Sequence, residues 1–238
     1  MTKLRVEALA KRFGGLRVFQ DISFALPPGG LLGVIGPNGA GKTTLINVIS
    51  GRQNASAGRV VLDGRDITNQ PAYAVSRLGL ARSFQQTNTF KSVSVRENIA
   101  RAIRFGSRGA PVGLQPMLTE FALAPRLDEI SDKLPYGLQK MLGLVMAFAT
   151  SPKILLLDEP AAGLERVERR HVDTFVQHAR HAGTSVLIVE HDMDLIRRLC
   201  PRILVLDAGV LLADGAPAEV LARPDVIAAY LGETEDAA

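Results

Sequence analysis

An α/β fold with a doubly wound, mostly parallel sheet is the architecture this sequence predicts, on three observations. Short apolar runs recur at 31–35, 154–157 and 186–189, the pattern of strands buried on both faces. Stretches with helical spacing of apolar residues alternate with them, as helices covering such a sheet do. The first run opens into a glycine-rich segment and then a helical one, the strand–loop–helix unit common to such sheets.

Taken in order, residues 4–9 alternate polar and apolar and predict a strand, closed by a turn at Phe13-Gly14-Gly15. Residues 19–26 predict a second alternating strand, broken by Pro27-Pro28-Gly29-Gly30. After the 31–35 strand, 43–50 reads as a helix with Gly51 as its C-terminal cap. A short strand at 58–62 ends at the turn pair Asp63-Gly64. A helix with Pro at its start is predicted at 71–77 and a strand at 80–84. The pattern is then more helical: one helix at 95–105, a Gly/Pro-punctuated loop at 106–113, and one or two short helices at 114–134. A strongly apolar helix follows at 138–149, and the strand 154–157 ends in Asp158-Glu159-Pro160. A helix at 166–182 stops at Gly183, and the strand 185–189 ends in Glu190-His191-Asp192. A helical segment at 195–199, a hairpin of 203–206 with 210–213, and terminal helices at 217–222 and 226–231 complete the chain. The acidic 233–238 tail reads as frayed. No internal repeat is visible.

Composition narrows the class. The 238 residues suit one large domain or one domain with an insertion, and 47% hydrophobic residues can build a sizeable core. The 28 basic and 24 acidic residues give +4, too mild a bias to indicate a nucleic-acid binder. The single Cys200 excludes an internal disulfide, fits a reducing compartment and reads as a small core residue. No secretory signal and no uncharged apolar run near the roughly 18 residues of a membrane span is visible. A soluble, cytoplasmic chain is therefore expected, with any pore formed by other chains.

Gly36, Pro37, Asn38, Gly39, Ala40, Gly41, Lys42, Thr43 and Thr44 match G-x-x-x-x-G-K-[ST] without a mismatch. Glycines let a loop wrap closely around phosphates. Successive backbone N–H groups and the helix dipole then face the anion. Lys42 bridges the outer phosphates in such a loop, and the Thr43 hydroxyl holds Mg²⁺. A glycine-rich turn that binds nothing fits the context far less well.

A second half of the site is legible downstream. A buried strand ending in acid carries charge to the carboxyl edge of the sheet, where the phosphate loop also lies. Asp158 is placed to hold Mg²⁺ through its water shell, and Glu159 to accept a hydrogen bond from an attacking water. By itself the segment also reads as a strand followed by a solvated acidic turn. His191 repeats the arrangement at the next apolar strand and could donate a hydrogen bond to developing phosphoryl charge; a lone histidine is otherwise structural or solvent-facing. Gln85 follows the 80–84 strand; chemistry alone favours an ordinary loop glutamine.

Together these pieces resemble the ATP-binding-cassette (ABC) ATPases over nearly the whole chain. Residues 36–43 are similar to their Walker A loop and 154–159 to Walker B with its catalytic glutamate. His191 resembles the switch histidine, Gln85 the Q-loop glutamine that senses Mg²⁺, and Phe13 the aromatic that stacks on adenine. Leu134-Pro135-Tyr136-Gly137-Leu138-Gln139 stands at the signature, usually L-S-G-G-Q, and 161–165 at the D-loop. Arg12-Phe13-Gly14-Gly15, Ala81-Arg82-Ser83-Phe84-Gln85, the 158–164 and 190–193 segments and 224–232 resemble ATPases of branched-chain amino-acid importers, with urea and other amide importers as near relatives.

The resemblance implies a P-loop cassette with a mostly parallel core sheet, N-terminal antiparallel strands and a helical insertion. Residues 1–91 and 135–238 would form the core and antiparallel subdomain, and 92–134 the helical subdomain leading to the signature. It implies ATP and Mg²⁺, with Glu159, His191 and Lys42 in catalysis. The implied partners are transmembrane permease subunits, a second ABC ATPase subunit (identical or related) and, indirectly, an extracytoplasmic solute-binding protein. The implied location is the cytoplasmic face of the membrane.

The sequence departs from the family pattern at Pro135, which offers neither hydroxyl nor N–H. Tyr136 and Leu138 replace a glycine and a glutamine, and Glu165 ends the D-loop where aspartate is usual. The signature contact then rests on Gly137 and the helix start behind it. A binding-only regulator and a soluble ABC ATPase acting on DNA or ribosomes are the competing classes. The latter usually carries a coiled-coil insertion or two cassettes, and neither is present.

Two weaker signals remain. Arg82, Lys91, Arg96, Arg101, Arg104 and Arg108 are opposed within their own stretch by Glu97 alone. They read equally as a solvated face or as a surface for lipid headgroups or permease helices. His171, His178 and His181 share one predicted helix and read as solvated.

Overall fold

The structure is a computed structural model that describes residues 3–83, 89–106 and 109–235. The chain opens with the hairpin β1 (Leu4–Phe13) and β2 (Leu16–Leu26), then enters the core as β3 (Leu31–Ile35). Helix α1 (Lys42–Ile49) leads back to β4 (Ala57–Leu62) and β5 (Arg65–Asp66). Helix α2 (Ala72–Arg77) and strand β6 (Leu80–Arg82) follow, then α3 (Val95–Gly106) and α4 (Leu114–Glu120). Tight 3₁₀ turns at Ala124–Arg126 and Ser131–Lys133 lead into α5 (Tyr136–Ala149). The remainder alternates as β7 (Ile154–Asp158), α6 (Arg169–His181), β8 (Ser185–Val189), α7 (Met193–Leu199) and β9 (Ile203–Asp207). It ends in β10 (Val210–Gly215), α8 (Pro217–Val220) and α9 (Pro224–Glu235).

The strands sort into two sheets. One is antiparallel, in the order β2-β1-β4-β5; the other runs β10-β9-β3-β8-β7-β6, parallel except for β10. Alternation within the buried strands explains the layering. Leu155, Leu157, Val186, Ile188, Ile203 and Val205 face the helices, packing with Leu142, Val145 and Phe148 of α5 and Phe175 of α6. Ile154, Leu156, Leu187, Val189, Leu204 and Leu206 face the other way, onto Leu45 and Ile46 of α1 and Leu9, Phe19 and Ile22 of the antiparallel sheet. Cys200 lies in the first of these cores, where burial pushes its thiol up to about 12. A Cβ on Gly33 would sit 3.1 Å from its sulfur.

Several helix limits differ from expectation for local reasons. Helix α5 starts at Tyr136 rather than 138, because Pro135 takes the N-cap position in extended backbone. Helix α6 starts at Arg169 rather than 166, since residues 165–168 form the turn in which the Glu168 carboxylate accepts from the Glu165 N–H at 3.0 Å. Pro71 stands just before α2, at its N-cap. Gly51 and Gly183 follow their helices with φ of 73° and 84°, the left-handed conformation that lets glycine end a helix.

Candidate nucleotide-binding site

The parallel sheet brings the predicted site segments together at one edge. The register pairs Val34 with Val189 and Val189 with Asp158. The loop after β3, the His191 loop after β8 and the Asp158-Glu159 end of β7 therefore leave three adjacent strands side by side. Strand β6 adjoins β7, with Arg82 opposite Leu156. Gln85 and Arg108 lie outside the described residues.

The loop 36–41 turns through left-handed glycines, with φ of 146° at Gly36, 77° at Gly39 and 97° at Gly41. A Cβ on Gly36 would collide with the Leu206 carbonyl of β9, so close approach of backbone demands glycine here. Lys42 is buried, its ammonium donating to the carbonyls of Gly36 and Pro37 at 2.6 Å each. Thr43 and Thr44 occupy the first turn of α1, whose early N–H groups form the positive helix end. Asn38 and Gly39 are exposed, while Pro37 and Ala40 are buried. Phe13 closes β1 with its ring 47% exposed and the Lys11 ammonium 4.4 Å from its centroid.

Asp158 is the last residue of β7 and is buried. Glu159 follows with a left-handed φ of 46°, and its N–H donates to the Val189 carbonyl at 2.9 Å. That kink turns the chain out of the sheet. Thr43 and Asp158 are hard oxygen donors, the kind Mg²⁺ takes when phosphates and water complete its shell. Among the described residues no group of three or more His, Cys, Asp or Glu side chains could hold a metal unaided. The His191 side chain is 66% exposed, with Nδ1 4.0 Å from the Glu190 carboxylate.

Sequence reasoning missed three charged side chains buried behind this edge. Arg82, read as part of a basic surface, instead donates to the Asp158 carboxylate at 2.7 Å, and both side chains are under 10% exposed. Burial draws its guanidinium below the ordinary arginine range while Asp158 pulls it back up. Lys140 of α5 is buried and donates to the carbonyls of Glu159 (3.2 Å) and Ala162. Burial lowers its ammonium, opposed by Glu190 and Glu159. Glu190 is 1% exposed and accepts from the N–H groups of Ala161 (2.8 Å), His191 (3.1 Å) and Asp192 (3.4 Å). Burial raises its carboxyl against those hydrogen bonds. The available signals were charges inside apolar runs: Arg82 after Leu80-Ala81, Lys140 among 138–149, and Glu190 after 186–189.

The remaining basic residues also find partners. Arg96 pairs with Asp128 (2.9 Å), Arg101 and Arg104 share Glu97 (2.8 and 2.9 Å), and Lys91 lies 4.0 Å from Asp132. Arg101 also covers the Phe90 ring at 4.8 Å. The stretch is therefore largely charge-paired. His178 is not simply solvated either: Nε2 meets the Glu120 carboxylate at 2.6 Å, and His171 packs on Phe121 with ring centroids 5.9 Å apart. His181 is exposed.

The segment 134–139 packs against Gly163 and Glu168 of the same chain. A Cβ on Gly163 would lie 3.0 Å from the Tyr136 hydroxyl, and one on Gly137 would strike the Glu168 carboxylate. Pro135 and Tyr136 are exposed at the start of α5, while Gly137 is buried beneath Glu168.

Such a loop at the edge of such a sheet defines a P-loop nucleotide-binding protein, and comparison with known proteins narrows the class. Residues 19–162 match the model of the ABC transporter family, and 210–236 match that of branched-chain amino acid ATP-binding cassette transporters. The chain is 34% identical to the high-affinity branched-chain amino acid transport ATP-binding protein LivG of Salmonella typhimurium, over 97% of this chain and 98% of that one. BraF of Pseudomonas aeruginosa, with the same description, is also 34% identical over the same shares. The lipopolysaccharide export system ATP-binding protein LptB of Escherichia coli is 31% identical over 98% of each chain. An ATP-binding cassette of an ABC transporter, solved in its ADP conformation, superposes with a TM-score of 0.86 at 29% identity, covering 98% of this chain and 99% of that one. The chain belongs to the ABC transporter family as an ATP-binding cassette ATPase.

Proposed function

We propose that this chain hydrolyses ATP to power import of branched-chain amino acids, or of a related small amide or amino-acid solute such as urea, through separate permease subunits. The observation that carries the solute class is the match of residues 210–236 to the branched-chain cassette model. Those residues lie beyond the nucleotide loops, so the similarity is not a by-product of ATP binding. Full-length likeness alone discriminates less, because LptB is nearly as similar as LivG.

In this reading the 36–44 loop cradles the phosphates and Phe13 stacks on adenine through its exposed ring face. Lys42 turns from the loop carbonyls to the outer phosphates. Thr43 and Asp158, with Gln85, would hold Mg²⁺, which supplies neutralisation of phosphate charge. Glu159 orients the attacking water, and His191 donates to the oxygen on which charge develops. Two cassettes close head to tail, so that Pro135, Tyr136 and Gly137 of one face the nucleotide of the other through the start of α5. An extracytoplasmic binding protein delivers the solute from the far side. The cassette sits on the cytoplasmic face of the membrane, held by the permease; among the described residues no helix is long and apolar enough to cross a bilayer.

The domain division expected above is part of the same proposal. The bridge between Ser94 and Ile130, and the bond from Val95 N–H to the Glu129 carbonyl at 3.0 Å, support 92–134 as a unit with its ends pinned together. Purification of the native complex tests the whole reading. Recovery of hydrophobic permease subunits with a second cassette is expected; recovery with ribosomes or DNA contradicts it.

A further inference from the structure

The arginine beside Asp158 is built in from three sides. Arg82 stands at the end of β6, next to β7, with Leu156 opposite. One arm of its guanidinium, Nη2, donates to Asp158 Oδ2 at 2.7 Å. The other, Nη1, donates to Asn47 Oδ1 at 2.6 Å and approaches Ser50 Oγ at 3.4 Å. Asn47 lies on α1 and Ser50 caps its C-terminal end; Lys42 and Thr43 start the same helix. A single side chain, 8% exposed, thus ties the helix of the phosphate loop to the acid at the end of β7.

The chemistry assigns this fork a direction. A planar guanidinium anchored at one arm by Asn47 holds the carboxylate oxygen bound to its other arm in a set place, which a flexible ammonium does not. The described contact of Arg82 with Asp158 is to Oδ2. Outer partners of metal-binding carboxylates set ligand orientation, and losing one typically costs about 10–100-fold in metal affinity.

We propose that Arg82, anchored by Asn47, is a positioning residue for the metal-binding carboxylate: it holds Asp158 by Oδ2 and aims Oδ1 at the cation that accompanies the nucleotide. The inference rests on the reading of Asp158 as the residue that holds Mg²⁺. A merely structural ion pair would lower stability when broken and weaken metal-bound and metal-free nucleotide binding alike. A positioning residue separates the two.

The test uses the full chain with Mn²⁺ as the probe, read by electron paramagnetic resonance at saturating ADP, alongside ADP affinity in excess chelator. Arg82→Gln is expected to weaken Mn²⁺ binding by about 10-fold or more, with metal-free ADP affinity within about 2-fold of the parent. Arg82→Lys keeps the charge but not the two-armed grip, and should recover only part of the loss. Mn²⁺ binding that is unchanged or tighter in Arg82→Gln overturns the proposal, tighter binding making the guanidinium a competitor of the cation. Asp158→Asn separates the two levels. If it binds Mn²⁺ as the parent does, the metal reading falls and takes this inference with it. If it loses Mn²⁺ while Arg82→Gln does not, the inference falls alone. Should Arg82→Gln fail to fold, Asn47→Ala decides, since it keeps both charges: several-fold weaker Mn²⁺ binding supports the anchor, and parental binding overturns it.

Discussion

Glu159 carries the chemistry proposed here, and its backbone is held from both sides. Its N–H is bound to Val189 and its carbonyl to Lys140, while φ is left-handed at 46°. A residue so fixed can present a carboxylate to water without a rearrangement of the loop. Glu159→Gln keeps the shape and removes the base. Turnover should fall by at least about 10²-fold, the usual worth of a general base. ATP should then trap a dimer visible by size-exclusion chromatography. Parental turnover in this variant would remove Glu159 from its role. Pro135 gives the converse case. Restoring serine there adds a hydroxyl and an N–H at the start of α5. If the missing hydroxyl limits the site, the ATPase rate of the assembled complex rises; if Gly137 and the helix start suffice, as proposed, the rate stays within about 2-fold.

At the scale of elements, Lys140 and Glu190 join three segments that the sequence separates. Lys140 reaches from α5 to the carbonyls at 159 and 162, and Glu190 reaches from the end of β8 to the N–H of Ala161. Lys140→Met keeps the stem and removes the charge and donors. It leaves two loop carbonyls without their donor, at a cost of about 1–3 kcal/mol in urea unfolding. A cost below about 0.5 kcal/mol would mean the ammonium does not hold the loop. Glu190 also predicts a pH dependence. Burial raises its carboxyl above the ordinary 4.5, so the native state binds a proton before the unfolded state does. Its contribution to stability therefore grows as pH falls through the raised value, and levels off below 4.5. Glu190→Gln should remove that part of the stability–pH curve; an unaltered curve would assign the slope to other groups.

These elements also mark where the sequence was legible. Strands β3, β7 and β8 are local apolar runs and the phosphate loop is a fixed local pattern, so both can be read without knowing the fold. The roles of Arg82, Lys140 and Glu190 depend on partners brought from other strands and helices, and no local pattern encodes them. The pairing within the basic stretch was hidden for the same reason. Asp128 and Asp132 neutralise Arg96 and Lys91 from more than thirty residues away, across the closure between Ser94 and Ile130.

For the whole molecule, the parallel sheet sets the positions of the 36–44 loop, Asp158, Glu159 and His191, while Phe13 comes from the antiparallel sheet and residues 135–137 from the start of α5. In the proposed head-to-tail pair each chain supplies half of each working site, so the isolated chain should hydrolyse ATP more slowly than the assembled complex and with a cooperative dependence on protein concentration. The central claim, that turnover at Glu159 drives solute import through a separate permease, is tested most directly by uptake. The native complex is reconstituted into lipid vesicles with its binding protein, and entry of labelled leucine, with urea in parallel, is followed after ATP is supplied to the cassette side. ATP-dependent accumulation of one of these solutes, lost in Glu159→Gln, is the predicted result. ATP hydrolysis by a complex that accumulates neither solute, or accumulation that survives Glu159→Gln, would contradict it.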